Sequence, residues 1–98
     1  MKTIFEYTNV NASDRLESFV LKKLTKLSNK YPFVIRGDVF FKKENSSNQK
    51  SHICGIQLSV PGPRLYASSK EKNFESAISE TVYDLIDQLQ KRKTKFGR

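Results

Sequence analysis

Lys22, Lys26 and Lys30 recur every fourth residue in LESFVLKKLTKLSNK, with Lys23 beside the first of them. A second cluster, Lys91, Arg92, Lys93 and Lys95, lies near the end in QKRKTKFGR, where no acid intervenes. Cationic groups at this density suit one kind of chemistry, which is to neutralise phosphates and release the counterions condensed on a polyanion. Two plainer readings compete. Bases near a helix C-terminus complement the macrodipole, and a run of lysines can be a solvated face. The macrodipole does not explain why the bases continue past the last apolar anchor, Leu89. Like charges at i, i+4 repel by about 0.3 kcal/mol per pair, so helix stability alone does not select the Lys22, Lys26, Lys30 stripe.

Other chemistry is thinly supplied. His52 and Cys54 form an H-x-C pair, too few ligands for a structural zinc site. Cys54 reads as a core residue and His52 as a polar residue at a strand end. No Gly-rich loop follows a strand, so neither a P-loop nor a dinucleotide cradle is expected. Asp84 and Asp87 sit close together, but Asp87 and Lys91 are spaced for an i, i+4 ion pair. With one histidine, no Ser-His-Asp or Cys-His set stands out. The expectation is a non-enzyme with no metal and no cofactor.

The totals agree with a polyanion partner. The 98 residues carry a net charge of +8 and a pI near 9.8. Hydrophobic residues make up 37% and charged residues 29%, a globular balance, and the length fits one domain spanning 1–98 with a basic tail from about 91. One cysteine allows no internal disulfide and fits a reducing compartment. No apolar run reaches signal-peptide or membrane-span length, so a cytoplasmic location is expected.

These charges need elements to position them. Lys2 to Thr8 alternates, with Phe5 and Tyr7 on one side and Ile4 and Glu6 on the other, which is a strand. Ser13 is placed to cap a helix running from Asp14 to about Asn29, with Asp14 and Glu17 in its first turn. Its apolar face is Leu16, Val20, Leu24 and Leu27, with Phe19 at the edge. Arg15, Lys22, Lys26 and Lys30 fall in one sector of about 80°, and Lys23 can snorkel into it. Tyr31-Pro32 ends that helix. Phe33 to Lys43 reads as a second strand with Val39, Phe40 and Phe41 as core candidates and a possible bulge at Gly37.

Residues 45–51 are a polar turn. Ser51 to Val60 is the clearest strand, with Cys54, Ile56, Leu58 and Val60 on one face. Pro61-Gly62-Pro63 is a tight turn, and Arg64 to Lys70 is a fourth strand with Leu65 and Ala67 inward. Asn73 caps a last helix whose apolar positions are Phe74, Ile78, Leu85 and Leu89, with Ala77, Thr81 and Val82 beside them.

The order β-α-β-β-β-α predicts an α+β two-layer sandwich, with two helices on one face of a four-stranded mixed sheet. The helix-linked first pair should be parallel through a right-handed crossover, and the turn-linked strands an antiparallel meander. Two helices side by side leave a groove, and the basic sector of the first and basic end of the second can border one surface.

The length, this topology and three local strings resemble the short ribosome hibernation promoting factors, the ribosome-associated translation inhibitors also called protein Y. The strings are LESFVLKKLTKL at Leu16 to Leu27, the Ala67-Ser68 pair leading to Asn73-Phe74 and Ala77-Ile78, and LIDQLQKRKTK at Leu85 to Lys95. The resemblance covers essentially the whole chain. It implies a factor that sits in the mRNA and tRNA channel of the small ribosomal subunit. Basic residues of both helices would contact rRNA there: Lys22, Lys23 and Lys26 on the first, Lys91, Lys93 and Lys95 on the second. Asp84 stands where a lysine is common in that family, and Asp87 where a basic residue can occur, so the middle of the groove is expected to be less positive. The sequence ends at Arg98, so the C-terminal dimerisation domain of long-form relatives is expected to be missing.

The expected function is a ribosome hibernation factor that blocks translation by occupancy. Lys22, Lys23, Lys26, Lys30, Lys91, Arg92, Lys93 and Lys95 would neutralise rRNA phosphates. The expected partners are the small ribosomal subunit and its rRNA, without a small-molecule substrate or a membrane, and the protein should be a monomer off the ribosome. The rival readings are a general double-stranded RNA-binding module, for which Lys42, Lys43 and Lys50 are the argument, and a protein-interaction adaptor with an incidental basic face.

Overall fold

The alternating segments pair into one sheet because each has a single apolar face to bury. The computed structural model describes residues 1–44 and 51–96 of the chain, the side chains of 93–96 excepted. Its elements are β1 (Lys2–Thr8), α1 (Asp14–Lys30), β2 (Arg36–Lys43), β3 (His52–Ser59), β4 (Leu65–Glu71) and α2 (Phe74–Phe96). The sheet order is β1-β2-β3-β4. β1 runs parallel to β2, and the other neighbours are antiparallel. This is the expected β-α-β-β-β-α sandwich. Of the expected polar turn at 45–51, residues 45–50 lie outside the described residues; across it, Glu44 N–H donates to the Ser51 carbonyl at 3.0 Å.

The core lies between the sheet and the helix layer. Leu16, Val20, Leu24 and Leu27 of α1, and Ala77, Ile78, Val82, Leu85 and Leu89 of α2, are buried against Val39, Phe41, Cys54, Ile56, Leu58, Leu65 and Ala67 of the strands. Thr81 is the buried polar residue of α2. Its hydroxyl lies 2.7 Å from the Ala77 carbonyl and 3.1 Å from that of Cys54, which satisfies it and links α2 to β3.

Three sequence expectations change. Phe40 is not a core residue. It alternates out of register with Val39 and Phe41, points to the open face of the sheet, and stacks on Tyr66 with centroids 6.3 Å apart. Its ring lies flat over Gly55, where a Cβ would come within 2.1 Å of it. Gly37 marks no bulge; it pairs regularly with Thr3 on one side and Leu58 on the other. Phe33 to Ile35 precede β2 instead of opening it. Val34 N–H turns back to the Tyr31 carbonyl at 3.1 Å, and Phe33 packs edge-on against Tyr31.

Candidate nucleic-acid interface

Local caps fix where each helix starts. Ser13 Oγ accepts from Leu16 N–H at 3.2 Å, and Asn73 Oδ1 accepts from Ser76 N–H at 2.8 Å, each satisfying a donor that the first turn leaves orphaned. Tyr7 ties β1 to α1: its hydroxyl donates to Glu17 at 2.6 Å and accepts from Ser13 N–H at 3.3 Å. Burial, and next the bond to the Glu17 carboxylate, push that phenol above its ordinary value. Arg15, in the first turn of α1, pairs with Glu75, in the first turn of α2. The two helices therefore start together and run side by side in the same direction.

Between them lies a cleft of about 420 Å³. Lys23, Lys26 and Lys30 form its α1 wall, and Ser79 and Tyr83 its α2 wall. Leu27, Tyr31, Val82 and Ile86 supply an apolar floor. Among the described residues no carboxylate lines it. Two of the ammonium groups lie over aromatic rings: Lys23 Nζ is 5.1 Å from the Phe19 centroid, and Lys30 Nζ is 5.7 Å from that of Tyr31. Such contacts orient a long cationic side chain without neutralising it. The three lysines are spaced three and four residues apart, so their backbone positions rise about 4.5 and 6 Å along the helix axis. The result is a row of positive charge above an apolar bed, suited to a ligand with phosphates on one side and a hydrophobic ring on the other.

The expected site residues do not all meet here. Lys22 lies one position off the cleft, on the outer surface of α1 with Ser18, Leu21 and Thr25. Lys91 is outside the cleft and pairs with Asp87 at 3.0 Å. Arg92 donates to the Pro61 carbonyl at 2.9 Å and the Pro63 carbonyl at 3.1 Å, holding the β3–β4 turn. The side chains of Lys93 and Lys95 fall outside the described residues, as does Lys50. Asp84 and Asp87, the acids expected to make the middle of the groove less positive, are not among the cleft's lining residues. Asp84 accepts from Gln88 at 3.2 Å and Asp87 holds Lys91. At 100° per residue Asp84 sits about 100° around α2 from Tyr83, whereas Asp87 sits about 40° from it, one turn further along the axis and beside the cleft lining.

Sequence reasoning overlooked Tyr83. It interrupts no apolar period, because the packing positions of α2 are Ile78, Val82, Leu85 and Leu89. The available signal was an aromatic residue off that apolar face.

A family model described as sigma 54 modulation protein / S30EA ribosomal protein matches residues 3–96. The chain belongs to this family. Among solved structures, this S30EA-family chain is similar to a ribosomal subunit interface protein from Coxiella burnetii, at 19% identity and a TM-score of 0.83, over 96% of this chain and 99% of that one. It is also similar to the N-terminal domain of Thermus thermophilus Protein Y, at 22% identity and a TM-score of 0.79, over 93% and 98% of the two chains. At these identities the likeness establishes the fold. A search of curated proteins finds no match.

The remaining reactive groups of this S30EA-family member are absorbed by packing. The His52 ring stands edge-on to Phe74 at 4.8 Å, with Nδ1 3.3 Å from Ser51 Oγ. Cys54 is fully buried, and burial pushes its thiol up to about 12, so it stays protonated and unreactive. Among the described residues no cluster of three or more metal-ligating side chains exists, and no helix is long and apolar enough to cross a membrane.

Proposed function

We propose that this protein is a ribosome hibernation factor that binds small-subunit rRNA in the mRNA and tRNA channel and inhibits translation by occupying it. The observation that carries the reading is the carboxylate-free lysine wall of the interhelical cleft, in a chain of the S30EA ribosomal protein family. Lys23, Lys26 and Lys30 take rRNA phosphates at the cleft. Lys22 extends the contact over the outer face of α1, and Lys91, Lys93 and Lys95 extend it along α2. Arg92, committed to the β3–β4 turn, supports the shape of that end. The folded body excludes mRNA and tRNA by volume; no bond is made or broken, so the protein is no enzyme. It works in the cytoplasm, where ribosomes are, as one unit spanning the chain and as a monomer when off the ribosome.

Phosphate contacts position without reading sequence, and each one neutralised contributes about −0.7 to −0.9 to the slope of log affinity against log salt. Small subunits loaded with the protein and pelleted through rising salt should release it progressively, and bound protein should compete with tRNA for the subunit. Retention independent of salt, or tRNA binding undisturbed at saturation, would overturn the reading. Equal affinity for any RNA duplex would favour a general duplex binder instead.

A further inference from the structure

Tyr83 is 71% exposed, the most exposed of the large hydrophobic residues described, and it stands on the α2 wall of the cleft. Nothing in the fold calls for it there. Val82 just before it and Leu85 two residues after it carry the packing, at 6% and 0% exposure. An aromatic residue is also a poorer helix former than the Lys, Glu or Gln that would serve a solvated position.

We propose that the cleft receives one unpaired nucleotide of the bound RNA, its base stacked on Tyr83 and the phosphates on its two sides held by Lys26 and Lys30, one each. The proposal rests on the rRNA-binding reading above and names the part of the RNA that this site takes. Three features of the cleft favour an unpaired nucleotide over duplex backbone. A duplex is recognised by shape, through phosphates and 2′-hydroxyls across a wide, shallow groove, and an apolar floor of Val82 and Ile86 offers nothing to those groups. A volume of about 420 Å³ falls within the range of pockets that enclose a small organic ligand. An exposed ring beside cations is the combination by which proteins hold single-stranded bases, because every base has a π-face and every linkage a phosphate. Tyr83 supplies the face and the lysine row the counter-charge, from opposite walls.

The test uses the full chain with purified small ribosomal subunits, and with a labelled single-stranded RNA and its duplex as model probes. Tyr83→Ala should weaken subunit binding about 5- to 150-fold, the range of one lost base stack. It should leave the salt slope unchanged and abolish any preference for single strand over duplex. Tyr83→Phe keeps the ring and should stay within about twofold of the parent. Lys26→Ala with Lys30→Ala should instead flatten the salt slope by about 1.4 to 1.8. Because Tyr83 is exposed, a thermal melt should show the variants folded. Unchanged affinity in Tyr83→Ala, with the lysine variant impaired, would overturn the nucleotide pocket and leave the ribosome reading standing. Equal losses in Tyr83→Phe and Tyr83→Ala would also overturn it, since the hydroxyl and not the ring would then matter. If neither the tyrosine nor the lysine substitutions moved binding, the rRNA-binding reading would fall and the pocket with it.

Discussion

Lys91 Nζ lies 3.0 Å from Asp87 Oδ2, one turn apart on α2 and outside the cleft between the helices. Both side chains are well exposed, at 78% and 61%, so the pair contributes little to stability. It does reduce the positive field that an approaching polyanion meets. Asp87→Asn should therefore tighten binding to small subunits, by about two- to fivefold at low salt, with stability changed by less than about 0.5 kcal/mol. The gain should fade at high salt. Affinity measured at two ionic strengths checks this, and weaker binding in the variant would mean that Asp87 orients Lys91 rather than masking it.

Arg92 is a cation of the C-terminal cluster whose guanidinium is already occupied by two backbone carbonyls. The turn it holds is tight: Gly62 has φ of +89°, and a Cβ there would sit 3.3 Å from Arg92 Nη1. Arg92→Ala should cost about 1 kcal/mol of stability, read by urea denaturation, and barely change the salt dependence of binding. Lys26→Ala should do the reverse, with stability unchanged and the slope flatter by about 0.7 to 0.9. A flatter slope in Arg92→Ala at unchanged stability would make Arg92 a phosphate contact after all.

The pairing of Arg15 with Glu75 joins the starts of the two helices and gives a pH signature. The bond from the Arg15 guanidinium holds the Glu75 carboxyl below its ordinary value of 4.5. A carboxyl depressed in the folded state stabilises above its unfolded-state pKa, and that contribution disappears as pH falls through the folded-state value. Arg15 is 70% exposed, so screening keeps the effect below about 1 kcal/mol. In Arg15→Ala the Glu75 titration followed by NMR should move upward, and the stability lost between pH 7 and pH 3 should shrink. An unmoved titration would show that the pair does not persist in solution.

On the open sheet face, Phe40 covers Gly55 and stacks on Tyr66. Gly55→Ala should push the ring off the sheet and cost about 1 to 2 kcal/mol, combining overpacking with the lost stack. In a Phe40→Ala background the same change should cost much less, a coupling that a double-mutant cycle measures directly. Additive effects would show that the ring is not held against Gly55.

Much of this molecule is legible in order along the chain. Alternation in CGIQLSV, the Ser13 and Asn73 caps and the apolar periods of both helices determine the elements, because each signal is local to a few residues. Short turns between the last three strands and a helix between the first two leave little freedom in how the sheet pairs. Legibility ends where alternation breaks down. Three consecutive apolar residues, Val39, Phe40 and Phe41, cannot all face one side of a strand, and only the partner strands show that Phe40 faces out.

The sequence by itself determined the fold, the net charge and two clusters of cations, since these depend on composition and on periods of two and 3.6 residues. Which cations share a surface was decided by the tertiary structure. The rotation of each helix about its axis is set by the residues it buries. That rotation turns Lys23, Lys26 and Lys30 toward Tyr83, leaves Lys22 on the outer face, and keeps Lys91, Asp84 and Asp87 out of the cleft lining. A one-residue step along a helix is about 100° around it, so neighbours in a cluster such as Lys22 and Lys23, or Lys91 and Arg92, receive different surroundings.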